Sequence, residues 1–248
     1  MAELNFPKMR VGFQGEPGAF SEAAAARLLG EAIRTVPRPT FDATFQAIAE
    51  GAADALLLPV ENTLAGSVLR VYDLLLESPL EMCGETILPI EHQLMGMPGA
   101  KREELVAVAS HPMALAQCER FFLENPHVKR VPAEDTAGSV REMIERGDKR
   151  FGAIAGRRAA GHYGAVILQE NIQDNAENFT RFVLLLHFPQ GVLQMLRLTR
   201  FQVQEELILP RPSVNWAALD LQQIDPMFCK GLERRQQRAR LVRQPHGQ

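Results

Sequence analysis

What this 248-residue chain lacks narrows its reading first. Its three cysteines, Cys83, Cys118 and Cys229, are odd in number and scattered. No CxxC or His/Cys spacing suggests zinc, so reduced thiols, no metal and a cytoplasmic location are expected. A basic excess is missing too: 27 Lys and Arg stand against 30 Asp and Glu, for a net charge of −3. That excludes a broad positive field for nucleic acid. No stretch approaches the roughly 20 apolar residues of a membrane span, and residues 1–10 have no long apolar core of the kind a signal peptide carries. The glycines near Gly15 are too few and wrongly spaced for a dinucleotide fingerprint, and no Ser/His/Asp order stands out. What remains is ordinary for a globular protein, with 46% hydrophobic and 23% charged residues and a length for one large or two small domains.

Strand and helix signals alternate along residues 9–187. A strand over 9–13 leads through Gly15 and Gly18, where the backbone can bend closely, to Ser21 as N-cap of a helix over 22–29. A strand over 33–36 and a helix over 43–50, closed by Gly51, follow. Residues 55–60 are nearly continuous in apolar side chains, as in a buried parallel strand. Ser67 reads as the cap of the next helix, and residues 82–95 as a long extended stretch running from one lobe into another. After a strand over 105–109, Ser110 before Pro112 predicts a helix start, with the helix continuing to about Phe122. Asp135-Thr136 caps a helix over 137–145 that Gly147 stops. Strands over 151–155 and 165–168 flank a short helix over 156–162. This alternation predicts α/β layers with mostly parallel sheets. Ligands in open α/β sheets sit outside the carboxyl ends of strands, and the polar clusters at 14–21, 61–67, 110–117 and 156–158 each follow a strand. A site between two lobes is the expectation.

Asn178-Phe179-Thr180-Arg181-Phe182 opens the apolar run Val183-Leu184-Leu185-Leu186. Taken alone, Asn, Thr and Arg at the mouth of a buried strand read as a loop Asn, a β-branched Thr that suits a strand and a solvated Arg, or else as a hydroxyl and a guanidinium held at a strand edge facing a cleft. Glu61-Asn62 follows the strand over 55–60; taken alone it is a loop that solvates its own charge, or else a carboxylate and an amide reaching into the cleft. Amides at the helix start near Ser67 would seat an anion. Ser110 explains itself as a cap, His111 is as well read as a packing residue as a base, and Gln117, seven residues on, would share a helix face with Ser110. Cys118 reads as a small core residue. Beyond Phe188 alternation is lost, and ten of the last 61 residues are Gln. Residues 188–248 are read as a poorly packed tail.

Together these phrases resemble the prephenate dehydratase family. The matching phrases are Gly15-Glu16-Pro17-Gly18-Ala19-Phe20-Ser21, Pro59-Val60-Glu61-Asn62-Thr63-Leu64-Ala65-Gly66-Ser67-Val68, Ser110-His111-Pro112 with Gln117-Cys118, Gly152-Ala153-Ile154-Ala155, Tyr163-Gly164 and Asn178-Phe179-Thr180-Arg181-Phe182, in the family's order. Each is weak alone; the ordered set is specific. The resemblance implies an α/β, two-lobed fold like the type 2 periplasmic binding proteins, with the active site in the interlobe cleft. A catalytic domain would cover 8–187, with one lobe about 8–88 plus 177–187 and the other about 89–176. It implies cofactor-free conversion of prephenate to phenylpyruvate, water and CO2 in phenylalanine biosynthesis. Thr180 is then the essential catalytic residue, joined by Glu61, Asn62, Ser110 and Gln117. Asn178, Arg181, Phe182, Ser21 and Ser67 are expected to bind the substrate. The implied partner is small-molecule prephenate, without nucleic acid or membrane, and with a homodimer as an option. The same phrases fit an arogenate dehydratase, an impaired enzyme, or a solute-binding module of this fold. Met113 replaces a usual Gln, and Asp135 a frequent Ser. The phrases of the ACT regulatory domain, which normally follows, are not found after Phe188, so the resemblance is not extended to inhibition by phenylalanine or to a dimer that depends on that domain.

Overall fold

Residues 9–186 are described by a computed structural model; the tail read over 188–248 lies outside the described residues. The elements run β1 (Arg10–Gln14), α1 (Phe20–Leu29), β2 (Arg34–Arg38), α2 (Phe41–Ala49), β3 (Ala55–Asn62), β4 (Gly66–Ser67), α3 (Leu69–Glu77) and β5 (Glu81–Pro89). They continue with β6 (Gln93–Gly96), β7 (Ala107–Ser110), α4 (Pro112–Ala116), α5 (Glu119–Glu124), β8 (Lys129–Pro132), α6 (Thr136–Arg146), β9 (Phe151–Ala155), α7 (Arg157–Tyr163), β10 (Val166–Gln169) and β11 (Phe179–Leu186). Two sheets form, in the orders β2-β1-β3-β11-β5, with β4 beside β3, and β10-β6-β9-β7-β8.

Both sheets are mixed, which corrects the expectation of mostly parallel strands. β1 is parallel to β2 and β3, and β7 to β8 and β9. β11 runs antiparallel to β3 and β5, and β6 antiparallel to β9 and β10. The reason is topological. The chain leaves the first sheet after β5, builds the second, and returns as β11 from the opposite direction. An apolar run such as Val183–Leu186 looks the same in either orientation once both faces are covered.

Each sheet is a middle layer between helices, as period-two alternation on two covered faces requires. In the first, Val11, Leu57, Phe182 and Leu184 pack toward α1, while Leu56, Leu58, Val183 and Leu185 pack toward α2 and α3. In the second, Leu94, Val108, Ile154 and the Phe121–Phe122 pair form one core and Met95, Val140, Met143 and Ala153 the other. Cys118 is fully buried, and burial, with the nearby Asp174 charge, pushes its thiol up to about 12. It is an inert packing residue, as its apolar surroundings suggested.

Three caps fall elsewhere than expected. Ser21 is the second residue of α1, and Ala19 holds the cap position without a side-chain bond. Ser67 lies in β4, paired with Glu61, and Val68 precedes α3. Ser110 ends β7, and the cap of α4 is His111, whose Nδ1 accepts from Met113 N at 3.2 Å. The helix expected to reach Phe122 breaks at Gln117 and Cys118. Asp174, from a distant loop, accepts from Glu119 N and Arg120 N at 2.7 and 2.9 Å and so starts α5 anew. Asp135 does cap α6, accepting from Gly138 N at 2.7 Å, and Gly147 closes that helix at φ 73°. Replacing Asp135 by Ala is expected to cost about 1 kcal/mol of stability, read as a lower urea midpoint at unchanged m-value.

Candidate active site

The site is built where β3 and β11 run out of the first sheet. Phe182 pairs Pro59 across the ladder, but Arg181 pairs Glu61 and Thr180 pairs Asn62. A β-bulge at this step takes up Val60. Unbulged register would have set Thr180 opposite Glu61. The one-residue slip moves Asn62 onto the face that Thr180 shares and turns Glu61 to the other face, beside Arg181. An amide, not a carboxylate, therefore meets the threonine.

Asn62 holds a turn and a cluster at once. Its Oδ1 accepts from Leu64 N and Ala65 N at 2.9 and 2.7 Å, which builds the turn into β4, where Gly66 supplies φ 80°. Those backbone donors fix which end of the amide is oxygen. The Nδ2 then faces inward and donates to Asn178 Oδ1, Thr180 Oγ1 and Phe179 O at 2.8, 2.9 and 3.1 Å. Thr180 is 8% exposed. Its oxygen accepts from Asn62, and its hydroxyl proton is committed to no acceptor among the described residues. Thr63 ties the same corner, donating to Glu177 O and accepting from Phe179 N.

The orientation passes on. With Asn178 Oδ1 occupied, its Nδ2 donates to Gln117 Oε1 at 3.1 Å, and His92 Nε2 lies 2.8 Å from the same oxygen. Gln117 ends α4, so the short helix brings an amide from the second sheet onto a cluster belonging to the first. His92 sits on the crossing segment between β5 and β6, which lies against the returning segment before β11: Ile90 N donates to Asn178 O, and Ile172 N to His92 O. Its ring is 2% exposed, meets Phe20 edge-on at 5.7 Å, and is held below its usual pKa by burial, which outweighs the Gln117 bond.

Phe20 leads to the cleft. A cavity of about 550 Å³ is lined from the first sheet's layers by Gln14, Phe20, Ser21, Asp42 and Arg70, and from the second's by His111, Glu134 and Thr136. Arg70 is paired with Asp42. The first turns of α1, α2 and α6 border this space. α2 is capped by Thr40 and α6 by Asp135, but α1 has no side-chain cap, so its leading amides lack that partner. A second hollow, between α2 and α3, is lined largely by apolar groups such as Phe45, Ile48 and Leu74 and offers no comparable chemistry.

Of the residues named from sequence, the structure joins Thr180, Asn62, Asn178 and Gln117 in one hydrogen-bonded set and puts Ser21 on the cleft wall. It does not bring in the others. Glu61 is half-buried on the opposite face of the ladder. Arg181 pairs Glu85 of β5, with Nε 2.8 Å from its carboxylate. Phe182 is 2% exposed and belongs to the core under α1. Ser67 is exposed. Ser110 is fully buried and donates to Ile154 O at 2.6 Å, bracing β7 on β9. The sequence reading gave no role to His92, Phe20 or Thr63. For His92 the only signal was a histidine inside an otherwise extended lobe-to-lobe stretch.

The two layers are clamped beside the cleft. Arg158 of α7 reaches Glu22 of α1 at 3.2 Å and Glu31 at 2.8 Å. Glu22 is 3% exposed and also accepts from Gly18 N and Thr35 Oγ1, both at 2.7 Å. Burial alone would raise its carboxyl, but the Thr35 and Gly18 bonds and the Arg158 charge hold it below its ordinary 4.5. Gly18 has φ 87°, and a Cβ there would stand 2.7 Å from Ala159 Cα, so this contact admits only glycine. A lowered folded pKa contributes stability that is present above pH 4.5 and lost as pH falls through the lowered value. Glu22→Gln should therefore make the urea midpoint fall less steeply with acid than in the wild type; parallel curves would remove Glu22 from the acid response.

A family model described as prephenate dehydratase matches residues 11–189. Arogenate dehydratase/prephenate dehydratase 1, chloroplastic, of Arabidopsis thaliana is 45% identical over 182 residues, 73% of this chain and 46% of that protein. Arogenate dehydratase 1 of Petunia hybrida is 43% identical over 189 residues, 76% of this chain and 44% of that protein. The chain thus spans a little under half the length of these curated relatives. Among solved structures, a prephenate dehydratase from Arthrobacter aurescens in complex with L-Phe matches with TM-score 0.66 and 29% identity, covering 73% of this chain and 61% of that one. A structure titled as a novel type of quorum quenching acylase, GqqA, matches with TM-score 0.67 and 36% identity, covering 73% of this chain and 64% of that one. The expected cytoplasmic location is corrected by the Arabidopsis relatives, which are named as chloroplastic proteins. Cysteine usage reports a reducing environment, and more than one compartment is reducing.

Proposed function

The chain belongs to the prephenate dehydratase family, and from that premise we propose that it converts prephenate to phenylpyruvate, water and CO2. The observation that carries the reading is the Thr180 hydroxyl. It is buried at the mouth of β11, its oxygen is held by Asn62, and its proton is uncommitted. In prephenate the ring carboxylate leaves as CO2, and its C–C bonding pair enters the ring. The ring hydroxyl departs from the opposite carbon and takes up one proton as water. Aromatisation supplies the driving force, so the protein must hold two carboxylates and stabilise the departing oxygen. A threonine hydroxyl is too weak an acid to be a free proton source. It acts here as a positioned donor, effective because water is kept out. The uncapped first turn of α1 suits a substrate carboxylate, and Gln117 Nε2 adds an uncharged donor.

A second reading concerns the substrate. Both plant relatives cited above carry arogenate in their names, and arogenate differs only in an amine where prephenate has a keto oxygen. The same departure chemistry would then yield phenylalanine directly. The Arabidopsis relatives, named as chloroplastic, also support a plastid setting for this chain. The catalytic unit is proposed to be residues 8–187, in the two lobes read from the sequence. Glu61, Ser110, Arg181, Phe182 and Ser67 then act by supporting that unit, not by touching substrate.

Turnover of purified full-length protein with each substrate decides between these readings. Phenylpyruvate from prephenate above the uncatalysed rate supports the first, and phenylalanine from arogenate alone the second. Acylase activity with neither conversion would instead favour the activity for which GqqA is named.

A further inference from the structure

We propose that His92 is a positioning residue: it locks the Gln117 side-chain amide so that Gln117 Nε2 donates to the bound substrate. The inference rests on the dehydratase reading for its activity test and on geometry for everything else. It follows from a chain of forced choices that starts at backbone amides. Leu64 N and Ala65 N can only donate, so the Asn62 atom they meet is oxygen. Asn62 Nδ2 then donates to Asn178 Oδ1, Asn178 Nδ2 donates to Gln117 Oε1, and the remaining contact on that oxygen must come from a donor. His92 Nε2 is therefore the protonated nitrogen, and Nδ1 carries the bare lone pair.

Gln117 Oε1 is held by two donors, one in each connecting segment between the sheets. Its Nε2 makes no hydrogen bond among the described residues. A glutamine used only for packing would gain by offering that nitrogen an acceptor. His92 Nδ1 is buried with no partner, an uncompensated acceptor of a kind folded proteins avoid without cause. The ring is nonetheless held firmly. His92 N donates to Gln173 Oε1 at 2.9 Å, His92 O accepts from Ile172 N, and the ring meets Phe20 edge-on at 5.7 Å, where a Cβ on Gly156 would stand 2.9 Å from the Phe20 ring. The segment thus aims Nε2 at one oxygen, and Phe20, which the imidazole meets, lines the cleft.

The test is a double-mutant cycle in the full chain. His92→Leu should lower kcat/KM on the order of tenfold, the worth of one lost buried hydrogen bond at the top of its usual range. In a Gln117→Ala background the same change should have almost no effect, because the amide it orients is gone. His92→Asn, which can present an N–H, should fall between. Multiplying losses in the double variant, or an unchanged rate in His92→Leu, would overturn the proposal. If His92→Leu does not fold, the cycle is run with His92→Asn on the same criteria. Imidazole nitrogen shifts in ¹⁵N-labelled protein test the geometry without turnover: Nε2 protonated and Nδ1 bare is the expected state, and an Nδ1–H tautomer overturns the chain. A wild type inactive on both substrates, with that tautomer intact, would fault the dehydratase reading and leave the orientation standing as a device for another ligand.

Discussion

Thr180→Ala is expected to lower kcat by about 10²- to 10⁴-fold, the range for a lost positioned proton donor, with KM changed only a few-fold. The asymmetry follows from the role proposed for the hydroxyl. The substrate's carboxylates are to be met by amides elsewhere on the cleft, so removing a group that bonds only the departing oxygen leaves ground-state binding nearly intact. The fold should lose little. Thr180 accepts one hydrogen bond from Asn62 Nδ2, and that nitrogen keeps Asn178 and Phe179 as acceptors. A stability cost of about 1 kcal/mol is the scale for one such bond, too small to unfold a two-layered core of this kind. Thr180→Ser keeps the donor but loses the β-branch that confines χ1, and is expected to retain much more activity than the alanine variant. Steady-state rates on prephenate and arogenate, with circular dichroism as the control, measure all of this. An alanine variant within a few-fold of wild type would remove Thr180 from the mechanism.

How much of this was legible in the sequence depends on whether the decisive partner is local. Asp135, Gly138 and Gly147 define α6 within a dozen residues, and that helix was readable with its cap. Phe151–Ala155 lies between turn signals and is legible to the residue. The break between α4 and α5 was not, because the residues continue an apolar helix pattern and the cap that restarts it, Asp174, is 55 positions from Glu119. The strand directions failed for the same reason. Orientation is decided by where the chain re-enters, not by the composition of the run. At the site, the sequence puts a threonine and two asparagines at strand ends and a glutamine on the helix that follows a strand, and the structure brings these four together. It gave no hint that Glu61 would turn away, since a bulge at Val60 leaves no mark on hydrophobic periodicity in a strand buried on both faces.

Asn62→Asp is the second large effect, and it isolates what the bulge accomplishes. Aspartate keeps the shape and the oxygen that accepts from Leu64 N and Ala65 N, so the turn into β4 should survive. What it loses is the donor. Asn178 Oδ1 and Phe179 O would face a carboxylate oxygen in place of an N–H, and Asn178 would have to swing its amide, which breaks its bond to Gln117. The Thr180 hydroxyl would respond differently. With an acceptor now opposite it, it would donate to residue 62, and the proton left free in the wild type would be spent inside the protein. The expected result is a folded protein, weaker by about 1–3 kcal/mol for the groups left unpaired, with kcat down about 10²-fold or more. The residual rate should fall as pH rises through the titration of the new carboxylate, because its protonated form returns a donor to the cluster and its ionised form does not. The same logic explains why the ladder slips by a residue here: in unbulged register Glu61 would occupy the position this variant imitates. Wild-type kcat in Asn62→Asp at neutral pH would show that Thr180 needs no donor behind it, and the significance assigned to the bulge would go with it.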